Sequence, residues 1–208
     1  MAGKSNNRRL SASARRAQLI DVGRKVFARN GYEGTSVEDI AERAKVSKPI
    51  VYEHFGGKEG LYAVVVEREM EYVVRRITEA IASGQPRERL ERASLAFLAY
   101  VRDHPDGFAV LSQDSPSTGA RGRLSSLLND LAERVGDIFI GAFKEAGYDA
   151  RTAPIYAHAL VGMVTFVGRW WIDARKPAIE DVAKHTAALA WMGLRHLPKR
   201  PTLKTAAP

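Results

Sequence analysis

Apolar side chains recur along this chain with the spacing of helix faces. Leu19, Val22, Val26 and Phe27 form one stripe, and Tyr62, Val66, Met70, Val73, Ile77 and Ile81 form another with steps of four, four, three, four and four. A third runs through Leu124, Leu127, Leu128, Leu131, Val135, Ile138, Phe139, Ala142 and Phe143. Each fits the 3.6-residue period that sets one side of a helix against a core. No alternating strand pattern accompanies them, so the expected fold class is all-α. Gly, Pro, Asn and Asp interrupt the periodicity at Asn30-Gly31, Gly56-Gly57, Ser83 to Pro86, His104 to Gly107, Asp114 to Gly119, Gly147 to Asp149 and Lys176-Pro177, which gives about nine helices. The closing PKRPTLKTAAP reads as a frayed basic tail.

Between Gly31 and Leu61 the predicted helices are short and closely spaced. Thr35 and Ser36 are placed to cap a helix over Val37 to Ala44, with Glu38 and Asp39 following in a capping-box arrangement. Its inward face is Val37, Ile40, Ala41 and Ala44, where the small Ala41 leaves room for a close crossing. After the turn Lys45-Val46-Ser47, Ser47 is a good N-cap and Pro49 sits in the first turn, where proline loses no helical hydrogen bond. The second helix runs from Lys48 to His54 or Phe55 and must be held by Val46, Val51 and Phe55, because it is too short to stand alone. Two short helices joined in this way form a helix-turn-helix, whose second helix can lie in the DNA major groove.

Composition sharpens that reading. The 208 residues carry 32 Lys and Arg against 24 Asp and Glu, a formal charge of +8. The first 60 residues hold 12 of these cations and 7 of the acids, so most of the excess lies in the N-terminal quarter, as a polyanion-binding segment requires. Lys4, Arg8, Arg9, Arg15 and Arg16 precede the first acid, Asp21, and form either an arm that enters an adjacent minor groove or a disordered tail that adds nonspecific affinity. With no cysteine, disulfides, Cys-ligated metal and thiol nucleophiles are excluded, and a cytoplasmic location is expected. The most apolar window, Ile155 to Ile172, contains His158 and Arg169 and falls short of the roughly 20 apolar residues of a bilayer span, so no membrane partner is expected.

On the second short helix the outward positions are Lys48, Pro49, Ile50, Tyr52, Glu53 and His54. Lys48 can reach a guanine edge or a phosphate, and Ile50 a thymine methyl. Tyr52 and His54 offer donors to the phosphate backbone, and Lys58 joins a cation to the positive end of the next helix.

The segment GYEGTSVEDIAERAKVSKPIVYEHFGGKEGLY, residues 31 to 62, resembles the DNA-binding domain of TetR-family transcriptional regulators. The likeness extends upstream through RRAQLIDVGRKVFARN and covers roughly residues 15 to 66. It implies an all-helical homodimer in which Thr35, Ser36, Lys48, Pro49, Ile50, Tyr52, His54 and Lys58 touch double-stranded operator DNA. It also implies that an effector in the C-terminal domain moves the helix starting near Lys58 and changes the spacing of the two reading heads. Two positions depart from the family pattern. Lys45 stands where glycine is usual, so the turn is either not left-handed or strained by about 1 to 2 kcal/mol. Ile50 replaces the small or polar residues common there, which separates this operator from those of relatives.

The resulting division is a flexible basic arm over 1–14, the helix-turn-helix domain over 15–60, a ligand-binding and dimerisation domain over 61–197 and a disordered tail over 198–208. By resemblance, helices over Ala153 to Ala174 and Ala178 to Leu197 pair with their symmetry mates, with Ala157, Gly162 and Gly168 admitting close approach. The ligand-site candidates are Phe97, Tyr100, Phe108, Leu111, Phe139, Phe143, Met163, Phe166 and Trp170, with Asn129, His158 and Thr165 as polar anchors. Such a site favours a small hydrophobic effector: a lipid, a fatty acyl thioester or an aromatic compound. No catalytic residue, metal or cofactor is expected. His54, His104, His158, His185 and His196 have no metal-ligand spacing, and no G-x-S-x-G is present. Gly56-Gly57-Lys58 lacks the remaining residues of a phosphate loop, since Tyr52 and Glu59 stand where Gly and Ser or Thr are needed. The sequence therefore describes a repressor released from a palindromic operator, or alternatively an activator or broadly acting DNA-binding protein without an effector.

Overall fold

A computed structural model describes residues 10–112 and 123–202, all of whose regular structure is helical. The helices are α1 (Ala12–Asn30), α2 (Val37–Ala44), α3 (Lys48–Phe55), α4 (Lys58–Ile81), α5 (Pro86–Asp103), α6 (Pro105–Ser112), α7 (Arg123–Ala146), α8 (Ala153–Ala174) and α9 (Ile179–Arg195), with a short 3₁₀ turn, Ala150–Thr152, before α8. The break expected over His104 to Gly107 is a single residue, because α6 starts at Pro105, where proline fits the first turn. The break expected over Asp114 to Gly119 lies outside the described residues, as do Lys4, Arg8 and Arg9 of the arm and residues 203–208 of the tail.

The chain divides into two compact units. The first contains the chain up to Glu69 together with the segment from Asp106, so the division falls beyond the 60/61 boundary expected from sequence, and α6 belongs with the first unit. α1 begins inside the supposed arm: Ser11 caps it by accepting from the Ala14 N–H at 3.2 Å, and Arg15 and Arg16 are helical residues.

Leu19, Val26 and Phe27 of α1, Ile40 of α2, Val51 of α3 and Leu61, Tyr62 and Val65 of α4 are sealed in the first unit's core. The Tyr62 ring sits edge-on to both Phe27 and Tyr32, with centroids 4.9 Å away in each case. Each large side chain buried here contributes roughly 1.5–3 kcal/mol. Gly23 lets α4 approach, since a Cβ there would lie 2.9 Å from the Leu61 side chain. Arg24 joins α1 to α4 through Glu69 at 3.2 Å and also pairs with Asp21.

In the second unit α5 packs on α8 and α9, and α7 packs on α8. Gly168, read from sequence as an opening for a partner helix, faces α5 of its own chain, where a Cβ would stand 3.3 Å from Phe97 and Val101. Ala157 is fully buried, whereas Gly162 has open space before it. The indole N–H of Trp171 donates to the Pro177 carbonyl at 2.8 Å and closes the α8–α9 turn.

Lys45 resolves the question raised by its identity. Its backbone is left-handed (φ 56°, ψ 47°), its N–H donates to the Glu42 carbonyl at 3.0 Å, and the Val46 N–H reaches back to Ala41 at 2.9 Å. The bonds that terminate α2 thus hold a non-glycine residue in a conformation that costs it about 1–2 kcal/mol. Lys45→Gly is expected to stabilise the protein by about 1 kcal/mol and to raise the melting temperature by about 2–4 °C, read by circular dichroism. A lowered melting temperature would show that Lys45 carries no strain.

Candidate functional site

α3 is fixed at its C-terminal end and from below. Val51 is buried beneath it, the Arg16 guanidinium donates to the His54 carbonyl and lies 4.3 Å from the Phe55 ring centroid, and Gly56 ends the helix in the left-handed region at φ 73°. The Gln18 side-chain amide donates to the Ala44 carbonyl at 3.2 Å, which ties α1 to the end of α2. Ser47 occupies the N-cap position but makes no side-chain cap bond; its carbonyl accepts from the Ile50 N–H at 3.1 Å, and Pro49 has no N–H to offer.

The exposed face so presented carries Lys48, Pro49, Tyr52 and Glu53, with Ile50 and His54 half-buried at its edges. Tyr52, at 55% exposure, is the most exposed aromatic residue of the first unit's described helices. Lys48 is ion-paired with Glu38 of α2, and that lysine, by hydrogen bonding, is the largest influence holding the Glu38 carboxyl below its usual range. The pair sets the lysine at the leading edge of α3. From sequence Glu38 reads only as an acid in the first turn of α2, and not as a partner of Lys48.

Three expected DNA contacts also make bonds within the unit. Thr35 is 3% exposed, and its hydroxyl donates to the Gly31 carbonyl at 2.6 Å. Ser36 is the N-cap of α2: its hydroxyl accepts from the Asp39 N–H at 3.0 Å and donates to the Asp39 carboxylate at 2.7 Å, while its own N–H donates to that carboxylate at 3.0 Å. Both hydroxyls are spent on the loop, because the unpaired backbone groups at a helix start take the nearest partners. Lys58 is half-buried, with Nζ donating to the Tyr32 carbonyl at 3.0 Å and standing 4.2 Å from the Tyr32 ring centroid. It fastens the start of α4 to the α1–α2 loop.

The second unit holds a cavity of about 420 Å³, open to solvent beside the exposed Ile138 and Ala142, between the end of α4, the first half of α5, the second half of α7, α8 and the end of α9. Its wall includes Ile77 and Ile81, Leu90, Ala93, Ser94 and Phe97, Val135, Ile138, Phe139 and Ala142, Leu160, Val161, Val164 and Thr165, and Trp191 and Leu194, with Arg89 and Glu145 as its charged members. The Thr165 hydroxyl donates to the Val161 carbonyl at 2.7 Å.

Of the sequence candidates, Phe97, Phe139 and Thr165 line this cavity. Tyr100, Phe143 and Met163 do not. Tyr100 is buried beside Tyr72 and His104, and Phe143 packs with Phe139, Tyr148 and Tyr156. Phe108 and Leu111 belong to the first unit. His158 and Asn129 line a separate hollow of about 220 Å³, and the His158 Nδ1 is 2.8 Å from the Pro154 carbonyl. Phe166 and Trp170 are 76% and 50% exposed and stand outside the cavity. α8 is apolar on several sides, and periodicity alone does not tell its inner face from its outer one. The missed α5 wall was nevertheless visible as the stripe Leu90, Ala93, Ser94, Phe97.

Residues 19–65 match the family model for bacterial regulatory proteins of the tetR family, and residues 74–205 match that for a tetracyclin repressor-like C-terminal domain. The chain is 29% identical over 199 residues to the HTH-type transcriptional activator FasR of Mycolicibacterium smegmatis, covering 94% of this chain and 90% of that protein. It is 21% identical over 187 residues to the HTH-type transcriptional repressor KstR2 of Rhodococcus jostii, covering 88% and 92% respectively. A TetR-like transcriptional regulator from Rhodococcus sp. RHA1 aligns with a TM-score of 0.75 and 29% identity, over 91% of this chain and 100% of that one.

The α2 cap carries a pH dependence. Hydrogen bonds from the Ser36 hydroxyl and N–H hold the Asp39 carboxyl below its usual range. A depressed folded-state pKa gives stability that is present above the unfolded value, about 3.9, and lost as pH falls through the lower folded value. The melting temperature should therefore drop less steeply below about pH 4 in Asp39→Asn than in the parent. Parallel curves would show that the capping carboxylate is not coupled to folding.

Proposed function

The chain belongs to the TetR family of bacterial regulatory proteins, DNA-binding transcription factors rather than enzymes, and from that premise we propose that it binds a roughly palindromic operator as a homodimer and represses transcription until a small hydrophobic effector enters the second unit's cavity. The observation that carries the DNA-binding half is the exposed edge of α3, where Lys48, paired with Glu38, stands beside Pro49 and Tyr52 on a helix tied down at its C-terminal end. A helix presented in this way suits the major groove, with Lys48 on a base edge and Tyr52 on the backbone.

Dimerisation is supported by an exposed stripe. Ile155, Ala159, Gly162, Phe166 and Trp170 recur along α8 at steps of four, three, four and four, and Leu189 and Met192 are exposed on α9. Apolar surface of this kind in water calls for a partner, and a second copy pairs like with like. The effector half rests on the cavity's lining, and α4 contributes both Lys58 and Leu61 to the first unit and Ile77 and Ile81 to the cavity wall. A ligand that displaces Ile77 and Ile81 acts directly on the helix that bears Lys58. Among the described residues no helix is long and apolar enough to cross a membrane, in keeping with action in the cytoplasm on DNA. The name of the FasR relative favours activation as a second reading of the same architecture.

Fluorescence anisotropy with DNA from upstream of the protein's own gene, against scrambled duplex at two salt concentrations, tests the regulator reading. Binding to the upstream DNA should persist in scrambled competitor, and Lys48→Ala should redistribute affinities among operator variants by about 1–3 kcal/mol at the base pairs concerned. Equal affinity for both duplexes, falling in parallel with salt, would leave only nonspecific polyanion binding.

A further inference from the structure

We infer that the cavity's ligand is an anionic amphiphile whose headgroup rests against Arg89 at the rim while its apolar chain fills the interior; this rests on the effector reading above. The interior has little to offer a polar molecule. Ser94 and Thr165 supply its hydroxyls, and that of Thr165 is already bonded to Val161. An apolar chain loses nothing there, whereas a polar body would leave its groups unsatisfied.

The charge is at the rim. Arg89 is half-buried on the first turn of α5, and its Nε donates to the Gly84 carbonyl at 2.9 Å, which orients the guanidinium. Its two terminal nitrogens have no partner among the described residues, so their donors remain for a ligand. Pro86 at the start of α5 also lines the rim, where the Glu88 carboxylate caps the helix by accepting from the Gln85 N–H at 3.2 Å. Glu145 near the end of α7 is the acid of the rim. It is solvent-exposed and therefore more heavily screened than the half-buried guanidinium. An oriented guanidinium fork with open donors suits a carboxylate or phosphate-like head, bound in a bidentate manner.

Calorimetric titration of the full chain with decanoate, decan-1-ol and decan-1-amine separates the head from the chain. Decanoate is expected to bind at least tenfold more tightly than the alcohol, and Arg89→Gln should erase that difference while leaving alcohol affinity and thermal melting unchanged. Glu145→Gln should leave decanoate binding intact or strengthen it. Equal binding of alcohol and carboxylate, or a preference for the amine that Glu145→Gln removes, would overturn the anionic head and leave the apolar effector cavity standing. Failure of all three to bind the folded chain would overturn the effector reading and this inference with it.

Discussion

An eight-residue helix has too few hydrogen bonds of its own to persist in water, so α3 depends on the burial of Val51 and on its packing against α2. Much of the first unit serves that seat. The Phe27, Tyr32 and Tyr62 rings pack together in its core, Gly23 lets α4 close on α1, and Arg16 and Gln18 reach from α1 to the carbonyls at the ends of α3 and α2. The strained turn at Lys45 belongs to the same logic, because the angle between the two short helices is held by bonds to Ala41 and Glu42 whatever residue occupies it.

This division of labour separates polar groups that hold the frame from those that are presented. Thr35, Ser36 and Lys58 have their hydrogen bonds within the unit; Tyr52 extends from it, and Lys48 is exposed while paired with Glu38. In the second unit the corresponding separation is between an inner apolar wall that includes Phe97, Val135 and Val164 and an outer apolar stripe that includes Phe166 and Trp170. In the proposed function the inner wall takes a ligand and the outer stripe a partner subunit, with α8 contributing to both.

The helices over Val37–Ala44 and Lys48–Phe55 were legible in the sequence to within a residue, because capping residues, a proline and a glycine bracket them. The family was legible from the same stretch. Less so was the assignment of individual side chains. Thr35 and Ser36 look like free hydroxyls in a sequence and are consumed by backbone groups that only a folded loop brings near. Phe166 and Trp170 share the aromatic character of Phe97 and Phe139, and nothing in their spacing marks which side of α8 meets α5. Arg89 was passed over because an arginine in a charged helix start reads as solvated, and only the cavity beside it gives the guanidinium a role.

The central claim is that the exposed edge of α3 meets the bases. Hydroxyl-radical footprinting of the full chain on its upstream DNA tests this most directly, comparing the parent with a Lys48→Ala, Tyr52→Ala double variant of unchanged melting temperature. The account predicts two protected segments related by two-fold symmetry, centred one helical turn or a small multiple apart, and their loss in the variant. An unsymmetrical footprint that survives both substitutions would contradict it.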